Sequence, residues 1–161
     1  MIVVKDDFLD SASFNTIKNI LFSFEIPWYF YEYADDKELK DFFYCHMLYN
    51  DGQIKSNFFD PIALPILGKL SFKKLFRIKI NMYTANPRIV IKKPGFHVDE
   101  KEQHRVALLN INSNDGYTEF ENGEKFNSVE NGLIDFDGKL KHRAISQTNT
   151  DVRINININY S

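Results

Sequence analysis

Residues 152–160, VRINININY, alternate strictly between polar and apolar side chains. In an extended chain successive side chains point to opposite faces. Arg153, Asn155, Asn157 and Asn159 therefore share one face, and Ile154, Ile156 and Ile158 the other. A helix cannot keep a period-two pattern on one side, so this segment is a strand with an apolar layer behind it. FRIKINMY (76–83) repeats the pattern, with Ile78, Ile80 and Met82 on one face and Arg77, Lys79, Asn81 and Tyr83 on the other. RIVIKK (88–93), RVALLNIN (105–112), YTEFEN (117–122) and GLIDF (132–136) are further short strands by the same reading. Turn signals separate them: Asn86-Pro87, Pro94-Gly95, Asn114-Asp115-Gly116, Asn122-Gly123 and Asp137-Gly138. Many short strands so punctuated specify a sandwich or jelly roll.

Ahead of residue 76 the pattern is mixed. SASFNTIKNILF (11–22) places Phe14, Ile17, Ile20 and Leu21 at helical spacing, with Ser11 or Ser13 as N-cap. IPWYFYEY (26–33) and DFFYCHMLYN (41–50) are aromatic strand candidates, the second running into the turn signal YNDG. NFFDPIALPILGKL (57–70) predicts a helix after Asp60, with Pro61 in its first turn and Pro65 as a kink. The expected architecture is mainly β with flanking helices: a double-stranded β-helix (jelly roll, cupin-like barrel) in one domain over 1–161. Residues 1–75 form a helical and mixed support, and 76–161 the β-helix core.

Composition narrows the function classes. A chain of 161 residues with 43% hydrophobic and 26% charged side chains can bury a core. A formal net charge of −2 gives no general attraction to nucleic acid or to anionic membranes. No stretch approaches the ~20 apolar residues of a membrane helix. The opening MIVVKDDFLD meets acidic residues at once, unlike a secretory signal. The single cysteine, Cys45, has no second cysteine to pair with and fits a reducing compartment. The expected location is cytoplasmic.

The candidate chemistry lies among four histidines, His46, His97, His104 and His142. In Phe96-His97-Val98-Asp99, extended backbone sends residues i and i+2 to the same side, so His97 and Asp99 can offer a nitrogen and an oxygen to one metal ion. His142, after a later strand and turn, would complete two histidines and a carboxylate, a facial triad with open positions that suits ferrous iron. The bland alternative is a solvated loop histidine beside an acid. Arg153 follows His142 by 11 positions at the head of the alternating strand. If the Arg153 face lines a barrel interior, a bound dicarboxylate would pair the guanidinium bidentately. Otherwise Arg153 lies on an exposed edge and the asparagines face water. Arg143 is the other cation close to the histidine.

From about residue 76 onward the chain resembles the 2-oxoglutarate/Fe(II) oxygenase core, in particular its prolyl-4-hydroxylase-like branch. The resemblance runs through Tyr83, His97 and Asp99, Asn110-Ile111-Asn112, Gly116-Tyr117-Thr118-Glu119-Phe120, Gly132-Leu133-Ile134-Asp135-Phe136, His142 and Arg153. Gly-Tyr stands where that branch has Gly-Gly, and Asn110 where relatives often carry a tyrosine that contacts the cosubstrate. The resemblance implies Fe(II) held by His97, Asp99 and His142. It implies 2-oxoglutarate chelating that iron, with its distal carboxylate on Arg153 helped by Tyr83, and Asn110 as a further cosubstrate contact. Dioxygen would complete the site, succinate and carbon dioxide would leave, and a C–H group of a peptidyl side chain or a small molecule would be hydroxylated. The alternative from another class is a jelly-roll metal-binding or structural module without turnover.

The remaining candidates have plainer readings. Cys45 and His46 face opposite ways and read as a core cysteine beside a surface histidine. His104, among Glu100, Glu102 and Arg105, reads as part of a charged loop near the site mouth. Lys73, Lys74, Arg77 and Lys79 read as a solvated face. Trp28 and the tyrosines at 29, 31 and 33 read as core and hairpin. Residues 84–96, with Arg88, Lys92 and Lys93, are either a mobile cover for the site or a rigid brace.

Overall fold

The computed structural model describes residues 1–32, 42–85 and 95–161. Its elements run β1 (Val3–Lys5), α1 (Ser11–Leu21), β2 (Tyr29–Glu32), β3 (Phe42–Asn50), β4 (Gln53–Ile54), α2 (Phe59–Leu67), β5 (Leu75–Thr84), β6 (Arg105–Asn110), β7 (Asn114–Phe120), β8 (Lys125–Ser128), β9 (Leu133–Asp137), β10 (His142–Ile145) and β11 (Val152–Tyr160). The expected strand at 88–93 and most of the cover segment fall outside the described residues. Among the described residues every strand pairing is antiparallel. The larger sheet has the order β1-β9-β6-β11-β5-β3-β2, with β4 on β3, and the smaller sheet the order β10-β7-β8.

The alternating strand sits at the centre of the large sheet, between β5 and β6, which settles its two faces. Ile154, Ile156 and Ile158 join Ile78, Ile80, Ala107 and Leu109 in a core closed by Phe14, Ile17 and Leu21 of α1 and by Ile62 and Ile66 of α2. The helices thus cover the outer face of the large sheet. Arg153, Asn155, Asn157 and Asn159 point the other way and are also buried, because the small sheet closes over them. That inner side has its own apolar floor of Val106, Leu108, Phe120, Ile134 and Phe136. Two antiparallel sheets facing each other across a half-polar interior form the expected double-stranded β-helix.

Several local expectations need correction. The α1 cap is Asp10, whose carboxylate accepts from the Ser13 amide at 2.9 Å, so both candidate serines lie inside the helix. A carboxylate beside the helix N-terminus also meets its positive end. Helix α2 starts at Phe59 and accommodates Pro65 within its length. β1 and β8, unforeseen from the pattern, pair β9 and β7. β3 lies directly beside β5, so the N-terminal part of the chain supplies sheet as well as support.

Candidate metal centre

His97 and His142 meet through backbone pairing. Each donates its amide to the other's carbonyl at 3.0 Å, which docks the segment before Asp99 onto β10. The two rings lie 4.9 Å apart between centres. Val98 points outward and is exposed, while His97 and Asp99 face inward as the i, i+2 spacing requires. One ligand atom from each of His97, Asp99 and His142 lies within 4.8 Å of the others. The alternative of a solvated loop histidine therefore does not hold: the structure brings all three together.

The surroundings select the donor atoms. His97 Nδ1 lies 3.3 Å from the Gly95 carbonyl and His142 Nδ1 3.1 Å from the Leu140 carbonyl. With Nδ1–H donating to a carbonyl, each ring presents Nε2 as a free lone pair. Phe136, edge-on to the His142 ring at 5.0 Å, fixes its plane. Burial pushes the His142 pKa below its ordinary value, against the pull of Asp99, so the ring is neutral and able to ligate. Burial alone would raise the Asp99 carboxyl, but His142, Arg77 and the Asn157 amide outweigh it and hold its pKa at about 2. Asn157 Nδ2 donates to Asp99 Oδ2 at 2.9 Å, and Asn159 Nδ2 donates to Asn157 Oδ1 at 2.7 Å. Arg77 Nη2 pairs with Asp99 Oδ1 at 3.1 Å, while its Nη1 reaches Glu100 at 3.3 Å.

Arg153 is 1% exposed at the other end of the interior. Its Nη1 donates to the Tyr117 and Ile145 carbonyls at 3.1 and 2.9 Å, its Nη2 to Thr118 Oγ1 at 3.3 Å, and its Cζ lies 5.6 Å from the Tyr83 ring centre. Gly116 makes this possible: a Cβ there would lie 3.0 Å from Arg153 Cδ and 2.8 Å from Asn114 Oδ1. Arg143 instead pairs with Glu119 at 2.7 Å. Asn110 opposes Asn155 across β6 and β11, and its amide donates to the Gly132 carbonyl at 3.4 Å. It does not line the cavity that His97, Asp99, His142, Tyr83 and Thr118 share.

The plainer readings fare unevenly. His46 is buried, not at the surface, with Nδ1 2.7 Å from the Pro27 carbonyl and Nε2 2.7 Å from Ser56 Oγ. His104 is 1% exposed and packs its ring against Gly138, where no side chain could fit. It is a core histidine and not part of the site mouth. Lys74 is solvated as expected, but Arg77 and Lys79 face the barrel interior. The signal for that was present: both alternate in phase with Tyr83 on one strand. Trp28 packs on the core, whereas Tyr29 and Tyr31 are largely exposed on the β2–β3 hairpin.

Two imidazoles and one carboxylate on one face of a double-stranded β-helix form the donor set that ferrous oxygenases use. Solved structures of that class share the fold. An oxidoreductase of the 2OG-Fe(II) oxygenase family from Burkholderia pseudomallei aligns with a TM-score of 0.63 at 11% identity, over 99% of this chain and 84% of its own. A prolyl hydroxylase of Trichoplax adhaerens, in complex with a peptide fragment of the hypoxia inducible factor oxygen degradation domain, aligns at 0.67 and 11%, over 99% and 82%. A Pseudomonas putida prolyl-4-hydroxylase aligns at 0.64 and 10%, over 99% and 91%. No protein-family model and no curated protein sequence matches the chain. At such identities the likeness establishes the fold, and the chemistry rests on the residues above.

Proposed function

We propose that the protein is an Fe(II)/2-oxoglutarate-dependent dioxygenase that hydroxylates a C–H group of a peptidyl side chain or a small molecule, with succinate and carbon dioxide as coproducts. One observation carries this reading: the same buried interior holds a His97–Asp99–His142 donor set at one end and the Arg153 guanidinium at the other. The donors fit ferrous iron, since two imidazoles and a carboxylate occupy one side and leave the cavity side open. Iron bound there would supply the redox chemistry of dioxygen activation coupled to decarboxylation of the 2-oxo acid. The chain's own part is binding and orientation. Gly95, Leu140 and Asn157 hold the ligand atoms in place, and Arg77 keeps Asp99 ionised. Arg153 would receive the distal carboxylate of 2-oxoglutarate beside Tyr83, while Phe136, Val106 and Leu108 keep the metal end dry.

A peptidyl substrate is favoured by the peptide seen in the Trichoplax prolyl hydroxylase complex. We read residues 1–161 as one catalytic domain. Among the described residues no helix is long and apolar enough to cross a membrane, and the lone buried thiol of Cys45 suits a reducing, cytoplasmic setting. Anaerobic titration with ferrous iron and 2-oxoglutarate tests the reading. A weak visible charge-transfer band, followed by succinate release on admitting air, is expected. Metal uptake with neither band nor succinate would instead make the chain a binding module without turnover.

A further inference from the structure

The inner face of β5 and β11 is a ladder of four cross-strand pairs: Tyr83 with Arg153, Asn81 with Asn155, Lys79 with Asn157, and Arg77 with Asn159. Three of its side chains carry positive charge, and two have settled partners. Arg77 is engaged by Asp99 and Glu100, and Arg153 by Tyr117, Ile145 and Thr118. Lys79 differs. Its ammonium lies 5.3 Å from the ring centres of both Tyr31 and Phe43, and among the described residues it makes no hydrogen bond or ion pair. Aromatic faces attract a cation but accept none of its three N–H donors in the way a carboxylate does. Burial, and then the neighbouring Arg77, push its pKa below that of an ordinary lysine. Lys79 also lines the metal cavity.

Its position separates it from the cosubstrate end. Lys79 precedes Tyr83 by four residues, so their backbones are about 13 Å apart along the strand at ~3.3 Å per residue. The rings that hold the ammonium belong to the β2–β3 hairpin at the sheet edge, and Tyr31 there is 46% exposed. Lys79 therefore lies on the hairpin side of the cavity, framed by two aromatic faces.

We propose that Lys79, framed by Tyr31 and Phe43, is a receptor for a carboxylate on the substrate, so that this site selects substrates carrying a carboxylate close to the reacting carbon. The assignment of that carboxylate to a substrate rests on the oxygenase reading above. The test uses the full chain loaded with Mn(II), inert to turnover, and saturated with 2-oxoglutarate. Benzoate, phenylacetate and N-acetylglutamate are the probes, each compared with its amide. Paramagnetic broadening of the probe's proton signals reports binding beside the metal. Wild type should broaden at least one acid and none of the amides. Lys79→Met should weaken that binding at least tenfold with 2-oxoglutarate affinity unchanged, and Lys79→Arg should restore it.

A second measurement does not depend on the folding of Lys79→Met. In wild type with 13C-dimethylated lysines, the Lys79 signal, assigned by its absence in Lys79→Arg, should shift with the acids and stay still with the amides. No acid binding to wild type, or equal binding by Lys79→Met, overturns the proposal. A tenfold loss of 2-oxoglutarate affinity in Lys79→Met also overturns it, because the anion would then belong to the cosubstrate. Should wild type take up neither Mn(II) nor 2-oxoglutarate, the oxygenase reading fails separately. Saturation-transfer signals of the same acids and amides on the metal-free protein then decide the role of Lys79.

Discussion

Asp99 is held by both of its oxygens, Oδ1 by Arg77 and Oδ2 by Asn157, so its carboxylate is aimed before any metal arrives. Truncating the ligand and truncating its supports should therefore differ in kind. Asp99→Ala is expected to abolish Mn(II) binding in an electron paramagnetic resonance titration. Arg77→Met should leave a site weakened about ten- to a hundredfold, the usual cost of losing an outer partner. Unchanged affinity in Arg77→Met would mean that the ion pair contributes nothing to the geometry of the carboxylate. At the opposite end, Arg153→Ala removes a charged donor set from a buried position. A charge-assisted hydrogen bond is worth roughly 1.5–3 kcal/mol, so 2-oxoglutarate should bind about ten- to a hundredfold more weakly to the Mn(II) protein. Equal affinity would place the cosubstrate carboxylate elsewhere.

Strand β11 carries both the outer core and the inner site, and its last residue ties it to the rest of the sheet. Tyr160 donates its hydroxyl to Asp135 Oδ2 of β9 at 2.8 Å, and Arg105 of β6 pairs with the same carboxylate at 2.9 Å. Burial and the Asp135 contact push the Tyr160 pKa up to about 12. A group with a raised folded pKa gives stability that is complete below its unfolded value of about 10 and is lost as pH rises through the folded one. The wild type should therefore lose on the order of 1 kcal/mol between roughly pH 10 and 12 through this residue. Tyr160→Phe should start less stable at neutral pH and show a shallower alkaline decline in thermal melts. Parallel declines for the two proteins would show that the tyrosine stays neutral in both states or ionises equally in both.

At the scale of the whole molecule, the site is assembled from parts far apart in the chain. Phe43 comes from β3, Lys79 from β5, Asp99 from the segment before β6, His142 from β10 and Arg153 from β11. A metal and 2-oxoglutarate that bind only when these parts are together must stabilise the whole fold by mass action. At a hundred times the dissociation constant this amounts to about 2.7 kcal/mol. Thermal unfolding should be a single transition that rises with Mn(II) plus 2-oxoglutarate and returns on adding a chelator. His142→Ala should not respond. Two transitions, of which only one moves, would divide the chain and refute the reading of 1–161 as one domain.

The period-two alternation of 76–83 and 152–160 by itself determined that both segments are strands and which residues share a face, because side-chain direction in extended backbone is a local property. The same locality put His97 and Asp99 on one side. Residue types and their order offered His142 as the third donor and Arg153 as a partner for a dicarboxylate, and the family resemblance assigned these to Fe(II) and 2-oxoglutarate. Locality could not decide which face of VRINININY is the interior, since that depends on where the helices pack. Only the tertiary structure did so, by setting α1 and α2 against the isoleucines and the small sheet over the asparagines. The same decision turned Arg77 and Lys79 inward, away from the solvent where a short basic run would ordinarily stand. It also buried His46 and His104, whose charged or aromatic sequence neighbours carry no information about the carbonyl, hydroxyl or glycine that meets each ring across the fold.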